Sequence, residues 1–563
     1  MKIMTRTFKL LSPILFYLLI SVVYWGIQIW PDLTTQFIGA KHGDGFGHIW
    51  LLGIWQVIFS QHGHLFITKQ VWSPIGFNLA HTSNLVGLGI INHWFGWDNY
   101  SPVFIYNFWM LAAPILAALS AFLLCYTISK KYLASLIGGF IYGYSPYMLG
   151  HVMGGHLELL LIFPAPVLAL LLLLHAQEKI NSGLFVILTT FFSTLYFSFS
   201  PELLIAYTIV TAALWILIYC IHPSLRKALQ RTAIMFVFAN ILTLLCVSDY
   251  LYFFIHDYTT QFAKNITDNA NPFLGFLIPT PLFLIGGHLF KSIANQFPAD
   301  LYDSTGYICL PLLYILFDTC RNTKKHPYYF PILFAVIVSF LLSMGPRFHF
   351  LNAATFPFLW WPFSHIPILD FIMPGRLSYL AYLFLALLLC VWLSFRNFKI
   401  QFLFLLLIIA FYFPAKDIQF QNKIYHWITP INPPAFLKND TYKKYITKDD
   451  TVFFIPMSEE TGAFQAITHN YFRLTAHPTD SLPIALSSKQ FGSLFSVMSA
   501  CHSLSEEKLK QVQPALTQFI HKMQPDKIII LRTWNLSLVK NNLAKLNYTP
   551  IYQHDYIIYE RKK

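Results

Sequence analysis

Gly43-Asp44-Gly45 sets one carboxylate between two glycines, inside the stretch Lys41-His42-Gly43-Asp44-Gly45-Phe46-Gly47-His48-Ile49-Trp50. Glycine neighbours let the backbone turn tightly and leave the acid unshielded. An apolar, Trp-rich run, 46–59, follows at once and reads as a short interfacial helix. An acid at the head of such a helix is a candidate general base for a hydroxyl. The position is equally suited to helix capping, and the two roles are compatible. Asp44 and His48 are four apart and share a helix face. With His42, His62 and His64 in the same loop they are the candidates for a divalent metal, although no H-x-x-x-H or H-E-x-x-H pair supports one.

Further ionisable residues fall near the ends of long apolar runs. They are His156 and Glu158 in His151-Val-Met-Gly-Gly-His156-Leu-Glu158, Glu202 after Ser200-Pro201, Arg347 in Pro346-Arg347, and Arg376 in Pro374-Gly375-Arg376-Leu377. Charges at membrane level are costly and mark functional positions by default. Carboxylates deprotonate hydroxyls or hold metals. Arginines bind phosphate oxygens in a bidentate fork and stabilise a departing phosphate. Each residue also has a structural reading. Arg376 can pair with Asp370 across its turn, Glu202 suits the first turn of a helix, and Arg347 can anchor a loop at the headgroups.

The elements that position these residues follow from composition. Of 563 residues, 56% are hydrophobic and only 11% charged, with a mean hydropathy of +0.53. A soluble protein would carry about a quarter charged residues. Eleven apolar spans account for the pattern, roughly 10–30, 103–128, 132–150, 159–176, 184–199, 203–221, 232–255, 306–318, 327–344, 379–395 and 400–414. The first is longer than a signal-peptide core and lacks a clear cleavage site. Net charge of +13 is therefore no sign of nucleic acid, because the basic residues sit in short loops. Lys130 and Lys131, Lys179, Arg226 and Arg231, Arg321 and Lys325, and Arg396 and Lys399 fall on one side. The positive-inside rule makes that side cytoplasmic, with the N-terminus inside and the C-terminus outside.

The opposite side holds the long loops 31–102, 256–305 and 345–378, and long loops in compact proteins are usually functional. Asp257 and Asp268 belong to the second of them. From about residue 415 Lys, Asp, Asn and Pro become frequent. Thr451–Ile455, Lys527–Leu531 and Tyr556–Tyr559 read as strands and Ser505–Lys522 as a helix, giving a membrane module 1–414 and an outer α/β domain 415–563. The seven cysteines, including Cys501, form no C-x-x-C pair. N-x-S/T triplets at Asn265, Asn439, Asn535 and Asn547 are no more frequent than chance allows.

One spanning helix, a long outer loop opening with an acid, many further spans and a C-terminal outer domain resemble the GT-C superfamily of integral-membrane glycosyltransferases. The likeness is topological over about 1–414 and local in Gly43-Asp44-Gly45 with His48. In the tail, Val452-Phe-Phe-Ile-Pro456, Asn470-Tyr471 and Asp526-Lys-Ile-Ile-Ile530 resemble outer domains of bacterial members. The resemblance implies an inverting enzyme on the periplasmic face of a bacterial inner membrane, moving a sugar from a polyprenyl-phosphate donor to a glycolipid or envelope glycan. It implies Asp44 as general base and Arg376 at the donor phosphate, and Arg347 is a second candidate for that phosphate from its own place in an outer loop. His48, His156 and Glu158 would position the acceptor. Many members carry paired acids after the first span. Here Asp44 has no acidic neighbour, which leaves metal use open and makes Glu158 the candidate second acid. No W-W-D-type signature follows the last span, which disfavours transfer to Asn sequons. A lipid or glycan flippase would place charges in mid-span, where this sequence has almost none. A non-catalytic assembly protein would keep the architecture without bringing Asp44 and Arg376 together.

Overall fold

The computed structural model describes residues 2–82, 85–256, 270–366, 369–477, 486, 489–499, 506–531, 543–544, 546–553 and 556–562. Asp257, Asn265, Asp268, Cys501 and Asn535 lie outside the described residues. Among the described residues, seven helices are long and apolar enough to cross a membrane: Leu11–Ile29, Pro102–Ser129, Leu157–Ala176, Ser182–Phe199, Pro201–Ile221, Pro223–Cys246 and Pro374–Ser394. Their outer faces present Leu15, Leu19, Ile187, Ile216, Ile234 and Leu245 to the surroundings, as a lipid-facing bundle requires. The chain is a polytopic helical membrane protein.

Four of the eleven expected spans take other forms. Residues 310–321, 329–343 and 398–411 are helices of 12, 15 and 14 residues, short of the roughly 20 needed to cross a bilayer perpendicular to its plane. The expected span 132–150 is broken. Tyr132–Gly143 ends at Tyr144, and Pro146–Gly154 restarts after Ser145 Oγ accepts the Met148 N–H. Pro146 supplies no N–H and suits only a first helical turn. The first helix packs closely because Gly143 admits the neighbouring backbone: a Cβ there would lie 2.5 Å from the Pro114 carbonyl oxygen.

The run 46–59 does form a helix, Gly45–Ser60, but it does not lie along an interface. Apolar on nearly every side, it is buried over most of its length. Its cover comes from the far end of the sequence. The Trp50 indole donates to Gln465 Oε1 at 3.0 Å and stacks on His477, and Asn470 donates to the Gly53 carbonyl. Ser73 and Leu474 also exchange backbone contacts with this loop.

The β-rich runs of the tail build one five-stranded sheet, in the order Arg473–Leu474, Thr451–Ile455, Lys527–Leu531, Tyr556–Arg561, Tyr548–Gln553. The first three strands run parallel and the last two antiparallel, with Ile528 opposite Phe453 and Tyr559. Gln36–Ile38 pairs with Ile428–Pro430. The first outer loop is thereby tied to the tail near its start and through its middle.

Candidate active site

Asp44 heads the Gly45–Ser60 helix, yet its side chain makes no capping hydrogen bond. Its backbone is what is held: the Asp44 N–H donates to the Gly154 carbonyl at 2.8 Å. A Cβ on Gly43 would stand 2.1 Å from that oxygen, so only glycine permits the approach. The carboxylate remains 57% exposed, with His156 Nε2 beside it at 3.5 Å. It is thus free to meet a ligand on its other side.

The segment 151–158 was expected to form a short outer loop; it is instead a buried helix end and turn. Pro146–Gly154 closes on Gly155, which adopts φ +68° as a left-handed cap. His151, His156 and Glu158 are all at least nine-tenths buried. The His151 and His156 Nδ1 atoms are 2.9 Å apart, a contact in which one donates and the other accepts. Burial, reinforced by His156 and Arg376, holds His151 well below the ordinary histidine range, so it is neutral.

His48 turns inward, away from ligand. Its Nδ1–H donates to the Gly155 carbonyl at 2.8 Å, and Nε2 lies 2.6 Å from Glu158 Oε2. Burial opposes a charged ring, but the Glu158 carboxylate outweighs it and the His48 pKa is pushed up to about 9. A buried imidazolium–carboxylate pair therefore pins the Gly154-Gly155 turn, against which Asp44 rests. With both ring nitrogens engaged, His48 is not a co-ligand for Asp44. Among the described residues no group of three or more His, Cys, Asp or Glu side chains is disposed to hold a metal ion. The divalent site expected on Asp44 and His48 does not fit this geometry.

Arg376 opens the Pro374–Ser394 helix, which is buried along nearly all its length. Its partner is Glu202, with Nη1 2.6 Å from Oε2, rather than Asp370. The other Glu202 oxygen accepts the Met373 N–H at 2.8 Å. Glu202 therefore does more than favour a first helical turn. Arg376 Nε stands 4.0 Å from Asp303 Oδ1, too far to bond, and neither atom has a hydrogen-bond partner.

Asp303 is the acid that sequence reasoning missed. Its only signal was its place just before the apolar run 306–318. Asn271 brings it in by accepting the Thr305 N–H and donating to the Gly375 carbonyl, while Thr305 Oγ1 bonds Ser378 Oγ. Burial pushes the Asp303 carboxyl up; Arg376 and His156 pull it down, and Asp44 pushes it up again. Asp303 thus senses both halves of the site. Arg347 sits exposed on the hairpin Arg347–His349/Ala354–Pro357. No ion pair joins it to this cluster among the described residues.

No protein-family model and no curated protein sequence matches the chain. Solved structures do. The mycobacterial arabinofuranosyltransferase AftD aligns at TM-score 0.52 and 12% identity, over 98% of this chain and 39% of that one. A point variant of AftD aligns at 0.55 and 10% identity, over 98% and 41%. An oligosaccharyltransferase from Archaeoglobus fulgidus, tethered to an acceptor peptide containing the NVT sequon, aligns at 0.48 and 13% identity over 98% and 74%. ArnT from Cupriavidus metallidurans bound to undecaprenyl phosphate aligns at 0.38 and 10% over 98% of each chain. At these identities the likeness speaks for the fold. This chain has the fold of the GT-C membrane glycosyltransferases.

Proposed function

We propose that this protein is an inverting membrane glycosyltransferase, taking a sugar from a polyprenyl-phosphate donor and placing it on a glycolipid or envelope glycan. One observation carries the reading. A half-exposed carboxylate, Asp44, is backed by His156 and lies within the same charged cluster as a buried arginine that keeps an N–H unused. In the reaction the acceptor oxygen attacks the anomeric carbon from the face opposite the phosphate. The bond from that carbon to the phosphate oxygen breaks, its electron pair leaves with the phosphate, and the configuration inverts. The acceptor proton passes to Asp44. Arg376 steadies the charge on the leaving phosphate, and Glu202 and Asp303 orient its guanidinium. His48 and Glu158 position Asp44 by fixing the Gly154-Gly155 turn.

The site faces the side opposite the basic loops, which in this reading is the periplasm of a bacterium whose inner membrane holds the protein. The N-terminus is then cytoplasmic and the tail 415–563 periplasmic. Reconstituted protein supplied with radiolabelled polyprenyl-phosphate sugars and membrane glycolipids tests the assignment. Asp44→Asn should be inserted and folded but should transfer label roughly 10²–10⁴ times more slowly, the range of a lost general base. Full transfer by Asp44→Asn would end the mechanism.

A further inference from the structure

At the far end of the helix that Asp44 heads lies a second cleft, of about 860 Å³, within the range of small-molecule sites. Its wall joins the first outer loop to the tail through Gln61, Gln70, Asp440, Lys448, Asp449 and Tyr471. The Gly45–Ser60 helix has 16 residues, so the cleft and Asp44 are separated by about 24 Å along its axis.

The lining chemistry selects the occupant. Two carboxylates, Asp440 and Asp449, meet two ammonium groups, Lys443 and Lys448. Lys443 pairs with Asp440 at 2.8 Å and Asp449 with Arg473 at 3.4 Å. The lining holds as many carboxylates as ammonium groups, so its net charge selects neither an anion such as phosphate nor a cation. What remains is hydrogen bonding and an aromatic face. Gln70 Oε1 and Asn470 Oδ1 are buried acceptors without a hydrogen-bond partner, and Asn470 is only 7% exposed. Native structures leave few such atoms unsatisfied. The half-exposed Tyr471 ring packs edge-on against Tyr442. Lys443 lies over both rings, 5.8 Å from each centroid, and is itself exposed. Moving that one flexible chain frees the face of Tyr471. His469 and Asn470, both at φ +52°, turn the chain sharply into the cleft wall from the Glu459–Ile467 helix, and both are residue types that adopt the left-handed region more readily than most.

Amide oxygens, compensated charges and an aromatic face together suit a neutral, hydroxyl-rich ligand. We infer that this cleft binds a neutral oligosaccharide and that, on the glycosyltransferase reading, the oligosaccharide is the body of the acceptor, whose growing end reaches Asp44. The acceptor is then an extended glycan, since a single sugar or a lipid headgroup cannot bridge the length of the helix.

The test is binding of the full-length protein, in detergent and without donor, to an array of neutral oligosaccharides from two to eight residues, with the monosaccharides and inorganic phosphate alongside. One class of longer oligosaccharide should be retained, and monosaccharides and phosphate should not. Gln61→Ala, an exposed position, should weaken retention about tenfold at most, the worth of one hydrogen bond. Tyr471→Ala should weaken it further, with unchanged thermal melting of both variants as the check on folding. No retained oligosaccharide, preference for phosphate, or equal retention by both variants would overturn the inference. Because no turnover is involved, failure of Asp44 chemistry leaves this result standing. In transfer assays both variants should raise KM for long acceptors.

Discussion

Two buried charge centres flank the candidate base, and they are built differently. At His48–Glu158 both ring nitrogens are engaged, one by a carbonyl and one by the carboxylate. At Arg376 two acids face one guanidinium, and an N–H and a carboxylate oxygen 4.0 Å apart are left without partners. The first centre closes its two charges directly on each other at 2.6 Å, as a scaffold must. The second retains unused hydrogen-bonding capacity in a buried place, which is costly unless something binds there. On the proposed function, the contrast separates residues that hold the site from those that would meet substrate.

Substitutions can break that contrast. Arg376→Ala should have the largest effect, because it strands Glu202 and Asp303. Losing one partner of a buried pair costs about 3–5 kcal/mol, and the variant should melt lower and transfer nothing. Arg376→Lys sharpens the point: it keeps the charge but not the fork. Its melting temperature should stay near wild type while donor affinity falls, as read by titrating a polyprenyl-phosphate sugar. Equal stability and equal donor affinity in Arg376→Lys would remove the arginine from the phosphate site.

His48→Gln should show the reverse. Stability should fall by a few kcal/mol, since Glu158 is left without its cation, while donor affinity stays unchanged. Melting in detergent checks the first and donor titration the second.

The smallest effect is one of pH. In the unfolded chain His48 loses its proton near 6.5, and in the folded chain near 9. A raised folded pKa means that the pair's contribution is complete below pH 6.5 and is lost as pH rises through 9. Melting temperature of the wild type should therefore drop across that window, and the drop should vanish in His48→Gln. A decline of the same size in His48→Gln would assign it to another group.

How much of this was legible beforehand varies residue by residue. The apolar helices and the strands of the tail followed from residue type and local pattern. Hydropathy is a property of consecutive residues, and so is β-type alternation. Partners are not. Arg376 had Asp370 as its local candidate partner, six residues away, and found Glu202, 174 residues away. His48 looked like a metal ligand from its four-residue spacing to Asp44, but the helix turns its ring to Glu158. Asp303 had no signal beyond its place before the run 306–318, and its position depends on Asn271 joining two distant turns.

The 46–59 helix shows the same limit from the side of packing. Sequence determined that it is helical and apolar. Whether its apolar surface met lipid or protein depended on the tail, some four hundred residues later, folding back over it. What the sequence determined by itself is the set of elements and the chemistry available on them, because backbone preference and side-chain polarity act within a few residues. Which carboxylate stays open to a ligand, which is consumed in a buried pair, and that a second cleft lies at the far end of the same helix were decided only in three dimensions, where burial and contact distance set the strength of every charge.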